Sequence, residues 1–63
     1  PWTPEAAEHY ASIRNHLEKS GQPIGNMDML IAASALAENA VLITNNISHF
    51  SRVPNLNIKN WLE

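Results

Sequence analysis

The feature that most constrains this chain is a helix-forming segment with almost no polar face. From Met27 to Glu38 the sequence reads Met-Asp-Met-Leu-Ile-Ala-Ala-Ser-Ala-Leu-Ala-Glu, and nearly every position is apolar or small. A helix on a protein surface carries an apolar stripe and a polar face, whereas a helix apolar all round is buried on most of its surface. The alanines let a neighbour approach closely. Ala40-Val41-Leu42-Ile43-Thr44 follows at once, a continuous apolar run and not an alternating one. That is the pattern of a strand covered on both faces, as in a parallel sheet. The helix is expected at residues 27–39, with Asn39 as its C-terminal residue, and the strand at residues 40–44.

The rest of the chain supplies fewer partners than these two elements need. Thr3-Pro4-Glu5 is a helix start, with a hydroxyl at the N-cap and proline at the first helical position. Glu5 and Glu8 sit near the positive end of the helix dipole. Ala6, Ala7, Tyr10, Ile13, Arg14 and Leu17 share one face at three- and four-residue spacing, while His9, Asn15, Glu18 and Lys19 face away. Gly21 and then Pro23 give the usual stop, so this helix is expected over residues 4–20. Gln22 to Asn26 is a linker in which Asn26 can cap the next helix. After the strand, Asn45-Asn46 break it, Ile47 to Phe50 suits a short helical turn, and Val53 to Leu56 reads as a loop. Asn57 to Trp61 suits a brief edge strand. Trp2 and Trp61 are expected to be packing residues. The sequence contains no internal repeat and no low-complexity segment.

A strand buried on both faces needs partner strands, and a helix apolar all round needs cover on several sides. The first helix covers one side. The remaining cover is expected from sequence upstream of Pro1 or from another chain, so Pro1 reads as an interior point of a longer domain. No cysteine is present to staple a chain of 63 residues, which fits a reducing cytoplasm. His9, His16 and His49 do not form a zinc pattern. The formal net charge is −2, and Arg14, Lys19, Arg52 and Lys59 are scattered, so charge alone gives no reason to expect nucleic acid. No apolar stretch approaches the ~20 residues a membrane span needs, and no secretory signal precedes it.

Asp28 is the only aspartate, in the first turn of the apolar helix. Its ordinary role there is to stabilise the helix dipole by roughly 0.3–1 kcal/mol. Topology offers a second role. In a right-handed parallel unit each helix runs back antiparallel to the strands. The start of helix 27–39 then shares an edge with the end of strand 40–44, and Asp28 converges on Thr44-Asn45-Asn46. Open parallel sheets bind ligands at that edge. One carboxylate, a hydroxyl and two amides are oxygen donors suited to Mg²⁺ or Mn²⁺ and not to zinc. Three other residues have ordinary readings. Ser34 is expected to bond back to the carbonyl four residues earlier. His49 can act as an acid or base near neutrality, but a capping or surface role is the more usual one. Arg14 suits a phosphate contact, a salt bridge or a stem lying along apolar surface.

The ordered set of residues is similar to the C-terminal half of a PIN domain, most of all to the VapC-type toxins of bacterial toxin–antitoxin pairs. It runs Asp28-x-x-Ile31-Ala32-Ala33, then the apolar strand ending Thr44-Asn45-Asn46, then His49-Phe50-x-Arg52-Val53-Pro54 and Asn60-Trp61. The resemblance covers essentially the whole chain, which would then be the C-terminal part of one PIN-like domain over residues 1–63, its N-terminal part absent. It implies an α/β fold, a three-layer α/β/α arrangement around a parallel sheet, of which this chain holds two helices, one buried strand and a short edge strand. It implies a Mg²⁺- or Mn²⁺-dependent endoribonuclease acting on RNA, in several members tRNA, by metal-assisted phosphodiester hydrolysis. It further implies a cytoplasmic protein without a membrane segment, an antitoxin that blocks the active site, and a second copy of the toxin.

Carried over by position, Asp28 matches the family's acidic residue at the start of this helix. Thr44 matches the hydroxyl residue after the strand. Asn46 matches a position that is Asp in many PIN domains and Asn in many VapC-like ones, and the amide leaves the site less acidic. The resemblance thus implies catalytic roles for Asp28, Asn46 and Thr44 and metal contacts from Asp28 and Asn46. The family's first Asp and its Glu have no counterpart in these residues. One carboxylate with neutral donors holds Mg²⁺ weakly, so the chain alone is expected to be inactive. The alternative is a non-catalytic interaction module that binds an antitoxin or a twin subunit. A plain helical packing domain, with Asp28 only a cap, is the third reading.

Overall fold

The computed structural model describes residues 2–62. Its elements are α1 (Pro4–Lys19), α2 (Asn26–Ala37), β1 (Leu42–Thr44), α3 (Ile47–Phe50) and β2 (Ile58–Asn60). The first helix starts as its sequence dictates. Thr3 is extended, and its Oγ1 accepts from the Ala6 backbone N–H at 3.1 Å. It also ends as the sequence dictates. Gly21 takes φ +69°, and the Gly21 and Gln22 N–H groups bond back to the Glu18 and Leu17 carbonyls at 3.2 and 2.9 Å. These satisfy carbonyls that the last turn would otherwise leave without partners.

The second helix differs at its start. Its N-cap is Gly25, without a side-chain cap bond, and Asn26 is already helical. The Asn26 side chain is drawn elsewhere, since its Oδ1 accepts from the Tyr10 hydroxyl of α1. At the other end Asn39 adopts φ +52°, and the Asn39 and Ala40 N–H groups bond to the Leu36 and Ala35 carbonyls. A left-handed residue there ends α2 two residues before the expected boundary and takes Ala40 and Val41 out of the strand.

The two strands are parallel, with Leu42 opposite Ile58, Ile43 opposite Lys59 and Thr44 opposite Asn60. Flanking bonds from Leu42 N–H to Asn57 O (2.8 Å) and from Trp61 N–H to Thr44 O (3.3 Å) extend the ladder. The brief edge strand is therefore real. The expectation of a strand covered on both faces is corrected within these residues. Leu42 and Thr44 are half-buried, but Ile43 is 63% exposed and Val41 57%. The reason is the number of layers. Leu42 and Ile58 pack on the helical core, and the opposite face carries Ile43 and Lys59 with nothing over them among the described residues.

The core joins Ile13 and Leu17 of α1 to Met29, Ala32 and Ala33 of α2, with Ile24, Phe50 and Val53 closing it. Ala32 and Ala33 are fully buried, which is the close approach that alanine permits. Most of α2 is buried or half-buried as expected, and the exception is one side, where Met27 and Ile31 are exposed. Of the readings open for Arg14 the salt bridge is the one formed, while the placements of His9 and Trp61 change. Arg14 is exposed and pairs with Glu18 one turn on at 3.2 Å, and that hydrogen bond, with Tyr10 next, holds its pKa above the ordinary guanidinium value. His9 is half-buried instead of facing away. Trp2 packs edge-on against Tyr10 at 6.2 Å, but Trp61 is 64% exposed beside the bare end of the sheet.

Candidate functional site

The site forms because α2 runs antiparallel to β1, which returns the start of the helix to the C-terminal edge of the sheet. Asp28, in the first turn of α2, is half-buried there. Thr44 is the last residue of β1, and its Oγ1 accepts from the Asn46 backbone N–H at 2.9 Å. The hydroxyl thus holds the turn that leaves the strand and sets where the Asn46 side chain emerges. Asn45 is exposed. Asn46 then caps the one-turn helix α3, with Phe50 N–H bonded to its carbonyl at 3.3 Å. Phe50 is 4% exposed and anchors that turn in the core.

His49 links the two halves of the site. Its Nδ1 lies 3.0 Å from Asp28 Oδ2 and 3.1 Å from the Asn46 side-chain nitrogen. Asp28 and Asn46 are thereby brought to within about 6 Å of one another through a single ring atom. Ser48 Oγ adds a bond to Asn46 Oδ1 at 3.4 Å. The convergence expected of Asp28 with the Thr44–Asn46 turn is therefore present. The residue that makes the contact, His49, was expected to be a cap or surface group. Its sequence signal was weak, since a histidine before a buried phenylalanine specifies no partner.

Of the other residues, Arg52 sits beside the linker and donates to the Pro23 carbonyl at 3.1 Å. Ser34 does not make the expected bond to the carbonyl four residues earlier. It lines an open cavity of about 240 Å³ with Thr3, Ala6, Ala37 and Glu38, far along α2 from Asp28. No three His, Asp or Glu side chains cluster as a metal site among the described residues. No helix among them is long and apolar enough to cross a membrane.

A two-helix layer on a parallel sheet, with one carboxylate at the sheet's C-terminal edge among the described residues, is the arrangement of an α/β domain of the PIN class. Residues 1–56 match the PIN domain, and the chain belongs to that family. It is 55% identical over 53 residues to the ribonuclease VapC2 of Rickettsia felis, across 84% of this chain and 40% of that protein. It is 39% identical over 57 residues to the tRNA(fMet)-specific endonuclease VapC of Salmonella typhimurium, across 90% of this chain and 43% of the other. The VapBC-1 structure from nontypeable Haemophilus influenzae superposes with a TM-score of 0.95 at 41% identity. That match covers all of this chain and 47% of the other. The chain thus spans less than half the length of the relatives it matches.

Proposed function

We propose that this chain is the C-terminal part of a VapC-type endoribonuclease, in which Asp28 and Asn46 contribute oxygen ligands for Mg²⁺ or Mn²⁺ and Thr44 shapes the site. The observation that carries this reading is the meeting of Asp28 with the Asn46 turn at the C-terminal edge of a parallel sheet. The donor set suits the cation in kind, because carboxylate and amide oxygens are the hard donors Mg²⁺ takes. Among the described residues it falls short in number, with one carboxylate where such sites combine carboxylates, waters and substrate phosphate. When bound, the cation would supply an acidified water and offset charge on the scissile phosphate. The chain's own residues do three things. Asp28 offers an anionic oxygen, the Thr44 hydroxyl fixes the backbone of Asn46, and His49 keeps Asp28 beside Asn46.

The names of the relatives support RNA, and tRNA in particular, as the substrate class. The VapBC assembly supports an antitoxin as partner. A second toxin copy and a cytoplasmic setting belong to the same reading. The bare face at Val41 and Ile43 is read as the surface that the other half of the domain covers, which agrees with the share of each relative that the chain matches. That one carboxylate stands at this edge among the described residues favours one second reading, a non-catalytic module that binds an antitoxin or a twin subunit.

The test is a ribonuclease assay in Mg²⁺. The 63-residue chain is expected to leave RNA intact. A chimera that joins it to the N-terminal half of the Rickettsia felis relative is expected to cleave, and to stop cleaving on Asp28→Ala. Robust cleavage by the chain alone would overturn the expectation that these residues are inactive by themselves. A chimera that cleaves equally well with Asp28→Ala would remove Asp28 from the site. An intact chimera that binds antitoxin but never cleaves would favour the interaction module.

A further inference from the structure

The contacts of His49 fix more than its position. Its Nδ1 faces Asp28 Oδ2 at 3.0 Å and the Asn46 amide at 3.1 Å. A ring nitrogen of a neutral imidazole either donates or accepts, and a carboxylate only accepts. Nδ1 therefore carries the proton and donates to Asp28. A protonated Nδ1 cannot also accept from an amide N–H. The conflict disappears if the Asn46 amide is turned over, which exchanges two atoms of nearly the same size. Asn46 Oδ1 then accepts from Nδ1–H, and its NH₂ group donates to Ser48 Oγ across the 3.4 Å contact. In that arrangement each of the three contacts joins a donor to an acceptor.

We propose that His49 is the positioning residue of this site. As the Nδ1–H tautomer it shares one hydrogen bond between Asp28 Oδ2 and Asn46 Oδ1 and holds the two side chains beside one another. Phe50, the next residue, is buried and anchors in the core the turn that carries the ring. Asp28 Oδ1 has no protein partner among the described residues and is left to face a ligand. Nε2 likewise has none, and the side chain is 41% exposed. Groups that hold a ligating carboxylate or imidazole in place are worth roughly 10–100-fold in metal affinity. The inference rests on the reading of Asp28 as a cation-binding carboxylate, and it concerns how that carboxylate is aimed.

Two measurements on the 63-residue chain test it. The first is the ¹⁵N shift pattern of the His49 ring in mildly alkaline buffer, where the Nδ1–H tautomer is expected; a dominant Nε2–H tautomer would overturn the proposal. The second is Mn²⁺ titration followed by broadening of amide signals near Asp28 and Asn46. His49→Phe, which keeps ring volume and loses the donor, is expected to weaken Mn²⁺ binding about 10-fold. His49→Asn, whose side-chain N–H falls near the place of Nδ1–H, is expected to restore most of it. Equal affinity in His49→Phe and the parent would sink the positioning role while leaving Asp28's role intact. If Asp28→Asn also leaves Mn²⁺ binding unchanged, the site reading itself fails, whatever tautomer the ring adopts.

Discussion

His49 and Asp28 stand 21 positions apart in sequence and meet at 3.0 Å, ring nitrogen to carboxylate oxygen. Asp28 opens α2, and His49 lies on the turn after β1, so the contact exists only because helix and strand run antiparallel. Asp28→Asn keeps the side chain's shape and removes its charge. It is expected to abolish Mn²⁺-induced broadening near Asn46. It should also lower stability by about 0.3–1 kcal/mol, because a negative charge in the first turn of a helix is lost. Amide spectra with and without Mn²⁺, together with a melting curve, check both.

The N-cap of α1 gives a prediction free of the site. Thr3 Oγ1 accepts the Ala6 N–H, and no other group satisfies that donor. Thr3→Ala is expected to destabilise the chain by about 1 kcal/mol, while Thr3→Ser is nearly neutral. Thermal unfolding of the pair decides it.

The two helix C-termini should respond in opposite directions to glycine and alanine. Gly21 sits at φ +69° in open space, so an added Cβ meets no atom and only backbone strain opposes it. Gly21→Ala is expected to cost about 1–2 kcal/mol. Asn39 is at φ +52° and already bears that strain in part. Asn39→Gly is expected to be neutral or to stabilise by up to about 1 kcal/mol, measured by denaturant midpoint.

Leu17 is 1% exposed at the centre of the α1–α2 contact. Leu17→Ala is expected to cost about 2–5 kcal/mol. A chain of 63 residues has little stability to lose, so this variant should populate the unfolded state at room temperature, seen as collapse of amide dispersion.

Ile43 distinguishes the chain by itself from the chain within a longer domain. It is 63% exposed here, so Ile43→Lys should change the chain's own stability by less than about 0.5 kcal/mol. In the chimera with the N-terminal half of a relative, the same change is expected to be markedly destabilising. Equal melting shifts in both would count against cover over that face.

Much of this fold was legible in local signals. Thr3-Pro4 and Gly21-Pro23 bracketed α1 to within one residue, because capping and left-handed closure depend on neighbours in sequence. The buried seam of α2 and the strand through Leu42–Thr44 were legible for the same reason, since apolar patterning reports directly on burial. The sequence also singled out Asp28, the one aspartate, in the first turn of an apolar helix. Local signals misled where a competing partner intervened. Asn26 gave its side chain to Tyr10 instead of capping α2, and Asn39 turned left-handed and shortened the helix. Only the tertiary structure decided which residue meets Asp28. A contact across 21 positions depends on the crossover that returns α2 beside β1 and on Phe50 seating the turn that carries His49. Neither leaves a mark on the few residues around His49, since hydrogen bonds across elements are set by where the chain packs and not by its local pattern.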